Sequence, residues 1–276
     1  MSGEHQVEVL CEALMVSRSG YYDWVRRGRA PGKRARENAV LRQRIRDSFE
    51  RNQRRYGSPR IAHDLGCQSR CNRIARLMRL DRLQARQRSK YRVVTTDSQH
   101  DRPIAPNRLM GVKASRLNQA WVTDVTHIMT GQGWVYLAAV LDLYSRRVIG
   151  WSMGEILDAD LVVAALQMAI AQRQPAGPVI VHSDRGSQFA SGIYRTTLQA
   201  HGLLASMSRK GNCYDNAFIE SFWSSLKAEL MHRRRFGSTT QARSAIFQYI
   251  ESFYNRRRLH SSLGYRSPLD FESQLN

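Results

Sequence analysis

An α/β domain preceded by a small all-α, helix-turn-helix-like region is the architecture expected of this chain of 276 residues. The length exceeds the usual size of one domain and suggests two. Apolar residues keep helical spacing near the start, and strand-like alternation begins only near residue 120. From Trp121 onward the elements read strand, strand, strand, helix, strand, helix, short strand, helix. Charge divides the chain in the same way. Forty-three Lys and Arg against twenty-three acidic residues give a net +20, and residues 1–110 alone hold 25 basic and 11 acidic side chains. That surplus implies a polyanionic partner, most strongly for the first part. No apolar run approaches the roughly 20 residues that cross a bilayer, and no signal peptide opens the chain. The expectation is a cytoplasmic protein with no membrane partner, its four cysteines reduced.

Residues 1–52 are expected to form an N-terminal helical region. Gln6 to Arg27 reads as two short helices, with Val7, Leu10 and Leu14 as an apolar stripe, a break at Ser17 to Gly20, and Tyr21, Tyr22 and Trp24 resuming it. The basic segment Arg26 to Arg36, containing Gly28, Pro31 and Gly32, reads as a linker. Asn38 to Phe49 follows as an amphipathic helix on Leu41, Ile45 and Phe49. Residues 53–92 read as a helix-turn-helix-like DNA-binding segment. Its first helix takes Ser58 as N-cap and Pro59 at its first position. The second, Arg70 to Arg82, buries Ile74, Leu77 and Met78 and carries Arg70, Arg73, Arg76 and Arg79 at three-residue spacing. Those arginines are the candidate DNA contacts, to bases or to backbone, with a plain solvated basic face as the alternative. His63, Cys67 and Cys71 sit four residues apart, but no fourth ligand has suitable spacing, and they read as buried thiols and a surface histidine rather than a zinc site. Residues 93–118 read as a linker, and 119–276 as the α/β domain.

Within that domain, Trp121 to Ile128, Trp134 to Asp142 and Arg147 to Met153 are expected strands, with a turn at Thr130 to Gly133. Asp158 caps a helix whose Leu161, Ala165, Met168 and Ala169 face inward, and Leu203 to Ser206 is the short strand. Three carboxylates stand out. Asp124 lies in a strand with two distinct faces, and Asp184 directly follows the apolar run Val179 to Val181. Glu220 comes after 35 intervening residues, on a helix capped by Asp215, at the edge of a stripe formed by Ile219, Phe222, Trp223, Leu226 and Leu230. Lys227 projects from nearly the same face as Glu220, about 20° away. Glu229 lies on the opposite flank and is the poorer candidate. Asp142 ends a strand before a turn and is read as a cap or a partner of Arg146 or Arg147. The triplets Arg233 to Arg235 and Arg256 to Arg258 are solvated charge or phosphate contacts, and the chain's charge favours phosphate. The tail from Leu263 to Phe271 is expected to pack back on the domain.

Together these segments resemble a known family. From about Ala120 to Phe271 the chain is similar to the DDE catalytic domain of retroviral integrases, and most to the second-frame transposases of bacterial insertion sequences with two reading frames. The matching segments are Trp121-Val-Thr-Asp124, Leu141-Asp-Leu-Tyr-Ser-Arg-Arg-Val-Ile-Gly-Trp151, His182-Ser-Asp-Arg-Gly-Ser-Gln188, Ser208-Arg-Lys-Gly-Asn-Cys-Tyr-Asp-Asn-Ala217 and Asn255-Arg-Arg-Arg-Leu-His260. Tyr56-Gly-Ser-Pro-Arg-Ile61 and Arg76-Leu-Met-Arg79 resemble the helix-turn-helix that precedes the catalytic domain in the same group. The resemblance implies an RNase H-like fold, an integrase catalytic core, and metal-dependent DNA cleavage and strand transfer in transposition. Hard Mg²⁺ or Mn²⁺ prefers carboxylate oxygens, and two such ions roughly 3.5–4 Å apart serve both the attacking and the leaving oxygen. Asp124 would bridge them, with Asp184 and Glu220 each completing one site. Arg209 and Lys210, beside Gly211, suit approach to a phosphate backbone, and the family places a basic residue where Lys227 stands. Implied partners are the element's terminal repeats, target DNA, further copies of the chain on DNA and an upstream-frame product; the location is the nucleoid. A non-catalytic DNA-binding regulator and an RNase H-like nuclease without strand joining are the alternatives.

Overall fold

Alternating apolar residues from position 120 onward pair into a five-stranded sheet of order β3-β2-β1-β4-β5. The computed structural model describes residues 6–29, 32–85, 101–209 and 217–275. The strands are β1 (Ala120–Thr130), β2 (Gly133–Asp142), β3 (Val148–Gly154), β4 (Ile180–Ser183) and β5 (Leu204–Met207). The first three form an antiparallel meander, turning at Gly131-Gln132 with Thr130 opposite Gly133. β4 and β5 instead run parallel, β4 beside β1 and β5 beside β4. Parallel neighbours need crossover connections. Helix α6 (Ala159–Arg173) supplies the first, started by Asp158, whose carboxylate accepts the Leu161 amide at 3.0 Å. Helix α7 (Gly192–Ala200), capped by Ser191, supplies the second.

The core lies between α6 and one sheet face, where Trp121, Ala138, Val140 and Ile149 meet Leu161, Val162, Ala165, Leu166 and Ala169. Close approach there depends on Gly150, since a Cβ at that position would stand 2.2 Å from the Ala165 carbonyl oxygen. Met168 does not join this core as its spacing suggested. It is 37% exposed, because the helix turns it past the edge of β3.

Asp124 alternates out of that face, and helix α8 (Ala217–Glu229) packs on its side with Ile219, Phe222, Trp223, Leu226 and Leu230 all buried. The expected cap, Asp215, lies outside the described residues. Helix α9 (Thr239–Phe247) continues through a π-helical turn, Gln248–Tyr254. Asn255 then donates to the Val148 carbonyl and accepts from its amide, at 2.9 and 3.0 Å, taking the place of a further strand at the β3 edge. The tail does pack back: in α10 (Pro268–Ser273), Glu272 pairs with Arg147 at 2.8 Å and with Arg173. Residues expected in a linker also dock on this domain, with Leu109 buried and the Arg108 amide donating to Ser206 Oγ at 2.9 Å.

The chain divides into two compact units, Met1–Ala85 and Arg86–Asn276. The first contains α1 (Val7–Ala13), α2 (Arg18–Arg29), α3 (Lys33–Arg51), α4 (Ser58–Asp64) and α5 (Cys71–Leu80). Leu41, Ile45 and Phe49 of α3 are buried together with Tyr56, Ile61, Ile74, Leu77 and Met78, so α3 belongs to the same core as the helix pair after it. Among the described residues, the segment Arg26 to Arg36 is mostly helical and not a linker. Gly28 is absorbed into α2, and α3 begins at Lys33, directly after Gly32. Gly57 rather than Ser58 is the N-cap of α4, with Pro59 in its first turn. Leu14, Tyr22 and Trp24 are exposed, and Cys67 and Cys71 are half-buried thiols. No helix among the described residues is long and apolar enough to cross a membrane.

Candidate active site

Parallel pairing of β1 with β4 sets Val122 opposite His182. Two residues further along each chain stand Asp124 and Asp184, so the register delivers both carboxyls to the same end of the sheet. Asp184 leaves the strand in an Asx turn, its Oδ1 accepting the Gly186 amide at 2.9 Å. The loop that follows is held from two sides. Arg185 donates to the Ser208 carbonyl at 2.8 Å, and Arg102 to the Ser187 carbonyl at 2.6 Å.

Glu220 stands in the first turn of α8, exposed. Three residues later, Trp223 Nε1 donates to Asp124 Oδ2 at 2.9 Å, which brings the Glu220 face of the helix to β1. The gathered negative charge is felt by Asp124. Burial first, then the neighbouring Asp184 and to a smaller extent Glu220, push its carboxyl up to about 7, against hydrogen bonds from the Val125 amide and the Trp223 indole. Lys227 is half-buried, and burial lowers its pKa while the Asp124 charge draws it back up. His127 is lowered by burial and then by Lys227, and its ring meets Trp134 edge-on at 5.0 Å.

Asp184 and Glu220 thus both lie within electrostatic reach of Asp124, but among the described residues no three Asp, Glu, His or Cys side chains close into a metal-holding cluster. Their chemistry nonetheless fits a hard divalent cation. Every donor is a carboxylate oxygen, and Asp124 holds a proton near neutrality in the place of such a charge.

The other acidic candidates are structural. Asp142 is fully buried and accepts the Asn118, Tyr144 and Ser145 amides. Its ionic partner is Arg173, at 3.9 Å, rather than the expected Arg146 or Arg147. Glu229 is buried against Arg258 at 2.8 Å and accepts the Tyr249 hydroxyl at the same distance. Arg258, expected among the phosphate contacts, is therefore an internal cation, 4% exposed.

Of the proposed DNA contacts, Arg76 and Arg79 project from α5 into solvent, and Arg70 closes a 3₁₀ turn before it. Arg73 turns inward. It donates to Asn38 Oδ1 at 2.9 Å and pairs with Glu37 at 3.4 Å, so the arginines do not form one exposed row. Arg209 is exposed, and Lys210 lies outside the described residues. The residue missed by sequence reasoning is Trp223, whose helical spacing accounted for it fully as core; its place one turn after Glu220 was the available signal.

Residues 114–213 and 201–268 match the integrase core domain family, and residues 35–91 an HTH-like domain family. The chain is 42% identical over 269 residues to the insertion element IS600 uncharacterized 31 kDa protein of Shigella sonnei, covering 96% of this chain and 98% of that protein. It is 40% identical over 275 residues to transposase InsF for insertion sequence IS3A of Escherichia coli, covering 98% and 95%. Among solved structures, the catalytic core domain of BIV integrase aligns at 17% identity and a TM-score of 0.41, over 57% of this chain and 97% of that one.

The raised carboxyl of Asp124 makes metal-free stability depend on pH. An unfolded Asp loses its proton near 3.9, whereas folded Asp124 keeps it to about 7. Between those values the folded state binds more protons, so stability falls as pH rises through the window and the loss is complete above it. Asp124→Asn cannot ionise yet still accepts from Trp223. In EDTA it should be more stable than the parent at pH 8 by on the order of 1–3 kcal/mol, the gap narrowing towards pH 4. Thermal melts across that range check this; a gap independent of pH would contradict it.

Proposed function

The chain belongs to the integrase-core transposases of bacterial insertion sequences, enzymes of DNA strand cleavage and transfer, and on that premise we propose that Asp124, Asp184 and Glu220 are its catalytic carboxylates. The observation that carries the proposal is the β1–β4 register that puts Asp124 and Asp184 at the same end of the sheet, with the Glu220 helix docked on Asp124 through Trp223. Divalent Mg²⁺ or Mn²⁺ bound there would supply an activated oxygen nucleophile and offset charge on the leaving 3′ oxygen.

The protein's own part is to orient. Asp124, on the central strand of the sheet, would hold the ions together with Asp184 and Glu220. Asp184 is aimed by its Asx turn, and Glu220 by the docking of α8. In the first step water attacks a phosphodiester at the element's end, breaking its P–O3′ bond and freeing a 3′ hydroxyl; in the second that hydroxyl attacks a target phosphodiester, joining the strands as the target's own 3′ oxygen leaves and takes up the proton. No covalent bond to the protein is needed. Lys227, two helical turns beyond Glu220 and close to Asp124 and His127, holds a phosphate next to the scissile one. Arg76, Arg79, Arg209 and Lys210 bind the DNA backbone.

Asp124→Asn, Asp184→Asn and Glu220→Gln should each lower Mg²⁺-dependent cleavage and strand joining by at least about 100-fold while DNA affinity stays nearly unchanged. Assays on terminal-repeat DNA decide this, and substantial residual activity in Asp184→Asn would reject the assignment. Hydrolysis without joining by the parent protein would instead favour a nuclease.

Lys227→Ala should raise the DNA concentration for half-maximal cleavage, whereas Lys227→Arg keeps the charge and much of the activity. A DNA titration in which Lys227→Ala matches the parent would remove this role.

On the first unit, Arg76→Ala combined with Arg79→Ala should weaken DNA binding and reduce the slope of log affinity against log salt by about 2. Arg73→Ala should instead lower the melting temperature, since it loses Asn38 and Glu37. An unchanged salt slope in the double variant would return Arg76 and Arg79 to solvated charge.

A further inference from the structure

The buried side chain closest in role to the carboxylates is an indole. Trp223 is 5% exposed, and its Nε1 donates to Asp124 Oδ2 at 2.9 Å. An indole N–H donates only and does not titrate in water, so it marks the atom it faces as an acceptor at every pH. It therefore favours the ionised carboxylate, the form that holds a cation. A carboxylate offers about four lone-pair directions; this bond occupies one and the Val125 amide another, fixing the plane of the group and leaving the rest open.

The donor is itself well anchored. The Trp223 ring lies 4.8 Å from that of Phe222, which meets Tyr254 edge-on at 4.8 Å, and Tyr254 meets His260 at 4.9 Å. Trp223 is also one turn past Glu220, about 4.5 Å along the helix axis. The same hydrogen bond thus joins α8 to β1 at the level where Glu220 must face Asp124.

We infer that Trp223 is a positioning residue of this site, its indole N–H holding Asp124 in the orientation that receives a divalent cation and tying the Glu220 helix to it. The inference rests on the proposed triad. Trp223 touches neither substrate nor cation and acts through Asp124. Outer donors of this kind govern metal affinity, their loss costing roughly 10–100-fold.

The test is Mn²⁺ binding to the full chain without DNA, followed by titration calorimetry, beside melting temperature in EDTA. Trp223→Phe removes the donor and some volume. Replacement of the Trp223 indole by benzothiophene keeps the ring's size and removes only the N–H. Both should bind Mn²⁺ at least about 10-fold more weakly than the parent, the benzothiophene protein still melting cooperatively and within the few degrees that about one lost hydrogen bond costs. Mn²⁺ binding within about twofold of the parent in the benzothiophene protein would overturn the inference. So would weak binding accompanied by loss of the cooperative melt, which would leave Trp223 a packing role only. Asp124→Asn in the same titration separates the two proposals. If it loses Mn²⁺ while the benzothiophene protein does not, the triad stands and the role of Trp223 falls; if Asp124→Asn binds as the parent does, both fall.

Discussion

Two like charges placed side by side must be held there by something stronger than their repulsion, and in this chain the holding element is the parallel pairing of β1 with β4. Backbone bonds at Ala120, Trp121 and Val122 fix the register with Ile180, Val181 and His182, and the carboxyls of Asp124 and Asp184 follow from it without further choice. The pairing is buried on both sides. Val181 and Trp121 are within the α6 core, and His182, fully buried, bonds Ser206 of β5 at 2.9 Å. A one-residue slip would send Asp124 into that core, so packing protects the register that the charges oppose.

The third carboxylate arrives on a helix, and its position is fixed at both ends of that helix. At the start, the Arg146 guanidinium stacks 3.8 Å over the Phe218 ring. One turn on, Trp223 bonds Asp124. At the far end, Arg258 donates to Glu229 and, at 2.8 Å, to Ser225, tying α8 to the segment after α9. Removing one member of such a buried pair leaves an uncompensated charge, commonly a cost of about 3–5 kcal/mol. The Asn255 to His260 run is in this respect a structural motif: Asn255 completes the β3 edge, Arg258 meets Glu229, and His260 lies against Arg258 and Tyr254.

Much of this was legible in the amino-acid order because faces of strands and helices differ in solvent. Asp124, Asp184 and Glu220 stand out by context, on an alternating strand, at the end of an apolar run and on the rim of an apolar stripe, and the family resemblance singles out the same three. What stayed hidden were charges that pair inside the protein. Arg73, Arg258 and Glu272 look in sequence like any exposed ion, and their partners Glu37, Glu229 and Arg147 lie 36, 29 and 125 residues away. Gly28 and Gly32 misled for a related reason. Each is a breaker by propensity, yet α2 runs through the first, and only the second marks a boundary.

The electrostatics also connect metal and DNA. A chain of net charge +20 attracts a polyanion, but its carboxylate cluster repels the phosphate that must come nearest. Asp124 limits that local charge by retaining a proton to about pH 7, and Lys227, close by, offsets part of the remainder. Neither is sufficient for chemistry on a phosphodiester, because a protonated Asp124 gives up a ligand oxygen and one half-buried lysine cannot balance three carboxylates. A divalent cation held by these carboxylates would displace the proton and offset the repulsion together. Cation and scissile phosphate should therefore bind with mutual help, by linkage, while the proposed contacts of the first unit's arginines would contribute affinity whether or not the site is loaded.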